Sequence, residues 1–135
     1  MRFITKKEKK YSFIEAGEGH PLILLHGLMG GLSNFDKTVK YFSERGYKVF
    51  VPVLPIYDLP VLHTNLTTIA KYVAKFIEEK TDEPVTIVGN SMGGHIGLIL
   101  TLVRPELVSK LVLTGSSGLY ERTFGDSFPR KSDKD

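Results

Sequence analysis

Apolar positions along the chain switch between two periods, and the switching predicts strands that alternate with helices. "YSFIEAG" alternates apolar and polar residues, and with the preceding "RFITK" it predicts an edge hairpin through the lysine-rich "KKEKK" turn. "PLILLHG" is a short continuous apolar run closed by glycine, the pattern of a strand buried on both faces. "LSNFDKTVKYFSERG" predicts a helix with Ser33 as N-cap, Phe35, Val39 and Phe42 at helical spacing, and Gly46 as the stop. "YKVFVPVL" is the next strand. "NLTTIAKYVAKFIEEK" sets Leu66, Ile69, Val73, Phe76 and Ile77 on one helical face and leaves Lys71, Lys75, Glu78 and Glu79 largely outside it. "PVTIVG" predicts another buried strand, "GGHIGLILTLV" a helix apolar nearly all round, and "KLVLTG" a final strand.

Strands alternating with helices imply parallel crossovers, so the predicted fold class is α/β, a mostly parallel sheet with helices on both faces. Such sheets place their sites at the carboxyl ends of the strands. At 135 residues the chain is one domain at most, and 41% hydrophobic with 24% charged residues is ordinary globular composition. The net charge is only +3, and the basic residues gather in "KKEKK" and "RKSDK" instead of one long block, so nucleic acid is not the expected partner. With no cysteine, disulfides and thiolate metal sites are excluded, in keeping with a reducing compartment. The N-terminus has no apolar h-region and no apolar run approaches membrane-spanning length. The expectation is a soluble, cytoplasmic protein with no membrane partner.

The chemistry concentrates in "VTIVGNSMGGHIGL". Ser91 lies just past the carboxyl end of a buried strand and just before a helix, flanked as Gly89-Asn90-Ser91-Met92-Gly93. Glycines at both flanks suit a sharp strand-to-helix turn, where side chains would collide with neighbouring elements; such an elbow lifts the serine oxygen above the sheet beside a helix N-terminus. A random chain of this length shows GxSxG with probability of roughly 4 to 5%, and the strand before and helix after lower that several-fold. Ser91 is therefore the candidate nucleophile for attack on a carbonyl. The oxyanion that forms needs donors. The backbone amide of Met92 is one, and the glycine-rich "HGLMGG" at the end of "PLILL" offers the other, with Leu28 as the expected donor. A phosphate or dinucleotide cradle would need GxGxxG or GxxxxGK[ST], and the spacing is neither.

The pair "HGLMG" and "GNSMGG", separated by a strand-helix pattern and followed by "KLVLTGSS", resembles the α/β-hydrolase superfamily, particularly single-domain esterases and carbon-carbon bond hydrolases. The likeness extends to about Ser117. Serine at position 91 looks unlike the branches whose nucleophile is aspartate, so the resemblance implies serine-type acyl transfer, without cofactor, on a small-molecule acyl or carbonyl substrate. It also implies that His26 and Gly27 support the oxyanion loop, as Gly89 and Gly93 support the elbow.

In that family the triad acid and histidine follow the nucleophile along the chain, after later strands. Only 44 residues follow Ser91, and the one histidine among them is His95. The resemblance therefore implies a truncated α/β-hydrolase fold: 1–117 as the N-terminal part of the domain, and 118–135 as a charged tail at the start of a cap or lid. His95 and His63 are the candidate bases within the chain, but His95, four residues past Ser91, belongs to the helix body, which the elbow serine faces away from, and a structural role is expected of it. His63, in "LPVLHTN", is near the carboxyl edge of the sheet but reads as a loop surface residue, and His20 reads as part of a polar turn. Asp58 and Glu121 lie in loops at the same end, where a carboxylate without a base completes nothing. The four histidines form no HxxxH or HxH pair, so no metal site is expected. Three readings follow: a serine hydrolase whose acid and base lie elsewhere, a catalytically inert fragment, and a non-catalytic binding or assembly module on the same scaffold. The family's strand order leaves "KLVLTG" paired on one side, and its consecutive Leu111, Val112 and Leu113 predict self-association through that edge.

Overall fold

The computed structural model describes residues 4–8, 11–26, 35–54 and 65–115, with side chains from Ser12 onward. Among these residues six strands form one sheet in the order β1-β2-β4-β3-β5-β6. They are β1 (Ile4–Glu8), β2 (Tyr11–Ala16), β3 (His20–Leu25), β4 (Tyr47–Pro52), β5 (Val85–Asn90) and β6 (Val108–Thr114). The hairpin β1/β2 is antiparallel and joins β4 antiparallel, whereas β4/β3, β3/β5 and β5/β6 are all parallel. The predicted edge hairpin and mostly parallel sheet are thus both present.

Alternation along the strands divides the core in two. Ile23 and Leu25 of β3 join Phe50, Val85 and Ile87 beneath α2 (Leu66–Lys80) and α3 (Met92–Val103), while Leu22 and Leu24 join Val49, Val51 and Val88 on the face carrying α1 (Asp36–Ser43). Phe13, Phe50 and Phe76 meet with centroids 5.2 to 6.1 Å apart and pin β2, β4 and α2 together. Tilted and edge-to-face rings at this spacing add to the area they bury.

Local signals explain the helix ends. The α2 stripe buries Ile69, Val73, Phe76 and Ile77 as its period predicts, together with Ala70 and Ala74. Its start is set by Asn65, whose side chain accepts the Thr68 amide at 2.8 Å, satisfying one of the free first-turn donors. α1 begins later than the sequence suggests: Phe35 is its N-cap, without a side-chain cap bond, and Ser33 lies outside the described residues. Gly46, at φ +89°, is where the chain leaves α1 and turns into β4. α3 ends at Val103, followed by Pro105.

One reading needs correcting. His20 is the first residue of β3 and pairs with Tyr47 of β4, so it stands at the amino end of the sheet instead of in a turn. The helix that reads as apolar nearly all round is so, yet it is buried on the side holding Gly93, Ile96, Gly97 and Leu100, while Leu102 is 79% exposed and Val103 57%. Among the described residues β6 pairs with β5 alone and forms the far edge of the sheet.

Candidate active site

The turn between β5 and α3 is built around one strained residue. Ser91 has φ 56° and ψ −120° and is the one non-glycine at positive φ among the described residues. A β-carbon in that region is crowded by its own backbone and is held there only when the surroundings over-determine it. They do so from both sides. The Ser91 amide donates to the Thr114 carbonyl at 3.1 Å, extending the β5/β6 ladder by one residue. The Ser91 carbonyl accepts from the amides of Gly94 at 2.9 Å and His95 at 3.3 Å, so α3 starts at once.

The flanking glycines are required by contact. A β-carbon on Gly89 would lie 2.6 Å from the Gly93 carbonyl oxygen, and one on Gly93 would lie 2.1 Å from that of Leu25 and 2.9 Å from that of His26. The first turn of α3 is therefore pressed onto the carboxyl end of β3, which brings the elbow next to the start of the "HGLMGG" loop. Met92 is the first residue of α3, half-buried against the larger core, with the positive end of the helix dipole behind it. Leu28, Gly27 and His63 lie outside the described residues, as do Asp58 and Glu121.

The described histidines are dispersed. His26, 9% exposed, sits edge-on to Phe35 with centroids 6.5 Å apart, immediately after β3. His95 is half-buried in the body of α3. His20 is at the opposite end of the sheet, where Nε2 is 3.1 Å from the Thr86 hydroxyl and Nδ1 is 3.4 Å from Glu83. Among the described residues there is no cluster of three His, Cys, Asp or Glu that could hold a metal, and no helix long and apolar enough to cross a membrane.

One contact was missed in the sequence. The Thr114 hydroxyl donates to Asn90 Oδ1 at 3.2 Å, so β6 holds the residue before Ser91 by a side chain as well as Ser91 itself by the backbone. The cue was an asparagine inside the glycine motif and a threonine ending the next strand. An open groove of about 530 Å³ runs along this face of β5 and β6, from Thr86 and Lys110 to Asn90 and Thr114, with Val88 and Val112 between.

Similarity to known proteins agrees with this arrangement. Residues 20–133 match the family model for the α/β hydrolase fold. The chain is 33% identical, over 91% of its length and 47% of the relative's, to a 2-hydroxy-6-oxononadienedioate/2-hydroxy-6-oxononatrienedioate hydrolase of Comamonas testosteroni. Among solved structures it is similar to MGS-MChE2, an alpha/beta hydrolase enzyme from the metagenome of lagoon sediments at Mar Chica, Morocco. That match has TM-score 0.82 and 51% identity, over 89% of this chain and 55% of the other. It is also similar to a serine hydrolase involved in carbazole degradation, with TM-score 0.76 and 31% identity, over 87% of this chain and 50% of the other. The chain spans about half the length of the curated relatives it matches. With an elbow after β5, a glycine-rich sequence after β3 and a family match over most of its length, the chain belongs to the α/β hydrolase fold family.

Proposed function

We propose that Ser91 is the nucleophile of a serine hydrolase acting on ester or related carbonyl substrates, with the Met92 and Leu28 amides as oxyanion donors and with the triad histidine and acid outside these 135 residues. The observation that carries the proposal is the backbone of Ser91: a positive φ is costly for serine, and an elbow that aims its oxygen over the strand ends gives that cost a use. The relatives' named substrates, 2-hydroxy-6-oxo dienoates, carry a ketone carbonyl, an electrophile of the class this site would take. In the reaction the Ser91 oxygen adds to that carbonyl and a histidine base removes its proton. The resulting oxyanion is met by backbone amides, collapse expels the leaving group, which takes the proton, and water, deprotonated by the same base, cleaves the acyl-serine to release the acid and restore the Ser91 hydroxyl. A non-catalytic module on the same scaffold is the alternative.

The test is a fluorophosphonate probe on the 135-residue chain, with the labelled site mapped by mass spectrometry. Without a base, oxyanion donors and binding alone leave about 10³ to 10⁴-fold over water, so slow labelling selective for Ser91 and weak turnover of p-nitrophenyl acetate are expected. Labelling spread evenly over the chain's serines, or unchanged in Ser91→Ala, would overturn the proposal. Rapid stoichiometric labelling at Ser91 would place a base within the chain, and His95→Ala and His63→Ala would identify it.

A further inference from the structure

We propose that the cleft between α2 and α3 binds an amphipathic carboxylate, with a medium-chain fatty acid as its simplest form. The cleft has a volume of about 380 Å³; Ala70 and Ala74 of α2 and Leu100 and Val103 of α3 line it, and Lys71 and Lys75 stand at its rim. It shares no residue with the elbow and lies on the other face of the sheet from the groove beside Asn90 and Thr114. The proposal therefore does not depend on the hydrolase reading.

The cleft follows from side-chain size. Alanines one turn apart keep the surface of α2 low, while Val103 of α3, over the buried Leu100, forms the opposing wall. The α2 lining runs from Thr67 to Glu78, which at 1.5 Å rise per residue is about 16 Å, an elongated shape that suits an extended chain. Its volume falls within the roughly 300–1,000 Å³ of small-molecule sites. A partner protein would need roughly 1,000 Å² or more of total buried surface, far beyond what this cleft offers.

Charge selects the head group. Glu78, the one carboxylate lining the cleft, is bound by Arg104 at 2.5 Å, and Arg104 also holds Glu106 at 2.7 Å, so these three charges are committed to one another. Lys71 and Lys75 are exposed and have no carboxylate partner among the described residues. Four residues apart on one helix, their ammonium groups reach a common point, where a carboxylate accepts from both while its tail runs between the helices against the exposed Val103 and the lysine stems, above the buried Ala70 and Ala74. A neutral or cationic amphiphile leaves both ammonium groups unmatched.

The experiment titrates the methyl-labelled 135-residue protein with sodium decanoate below its micellar concentration, and in parallel with decanol and decyltrimethylammonium, followed by methyl NMR. Decanoate is expected to give saturable shifts at Ala70, Ala74, Leu100 and Val103 while Leu22, Val88 and Val112 stay in place. Lys71→Glu/Lys75→Glu, at exposed helix positions, is expected to weaken binding about tenfold or more with an unchanged circular dichroism spectrum, as loss of charge-assisted bonds requires. No saturable response to decanoate, equal responses to decanol and decanoate, or full affinity in the double variant would each overturn the proposal. So would a response confined to phosphatidylglycerol vesicles, which would make the face a membrane contact.

Discussion

Strain at Ser91 reverses the usual order of glycine and alanine. Both Ser91→Gly and Ser91→Ala remove the hydroxyl, so whatever it contacts cancels between them and only the β-carbon differs. At φ 56° and ψ −120°, that β-carbon costs about 1–3 kcal/mol in a region that glycine occupies freely. Against this, glycine loses more freedom on folding, worth about 0.5–1 kcal/mol relative to alanine. The balance makes Ser91→Gly the more stable variant by about 1 kcal/mol, whereas at an ordinary helix position it would be the less stable by a similar amount. With urea m-values of about 1–3 kcal/mol/M, the midpoints separate by about 0.3–1 M. Urea unfolding of both variants, followed by circular dichroism with m compared, measures it. A Ser91→Gly midpoint at or below that of Ser91→Ala, with equal m, would refute the argument that the elbow is strained.

The same helix supplies an internal contrast. Gly93→Ala drives a β-carbon to within 2.1 Å of the Leu25 carbonyl oxygen, and main chain cannot step aside, so a loss of about 1–3 kcal/mol or more is expected. Gly97→Ala meets the Leu111 Cδ1 methyl at 2.9 Å, the movable end of a side chain, and gains up to about 1 kcal/mol of helix propensity, so its thermal midpoint stays near that of the parent. Equal midpoints for the two variants would contradict the close packing of α3 on β3. Among the described residues β6 is the edge of the sheet, where Val112 is 45% exposed. The 135-residue chain is therefore expected to self-associate at micromolar concentration. Light scattering checks this, and a monodisperse monomer with fixed near-UV aromatic signals would contradict it.

Periodicity by itself determined most of the architecture. Period-two and continuous apolar runs located β2 to β6, and the 3.6-residue stripe of Ile69, Val73, Phe76 and Ile77 located the buried face of α2, because burial on one face imposes its period on the sequence. Ser91 was legible for a related reason: glycine is demanded where backbone meets backbone, and the flanks of the elbow touch Gly93, Leu25 and His26 main chain. What lay outside local sequence was decided by which elements meet. An asparagine in the glycine motif and a threonine ending the next strand hint at a contact, but that Thr114 holds both Asn90 and Ser91 depends on the register of β6 against β5. His20 reads as a turn residue from its neighbours Gly19 and Pro21, yet pairing with β4 makes it the start of β3, and contact with Thr86 of β5 fixes its ring. The uniform apolarity of α3 could not say which side would be covered; the sheet and α2 took Gly93, Ile96, Gly97 and Leu100 and left Leu102 outside. Composition sets what a segment is able to bury, and only the packed neighbours set what it does bury.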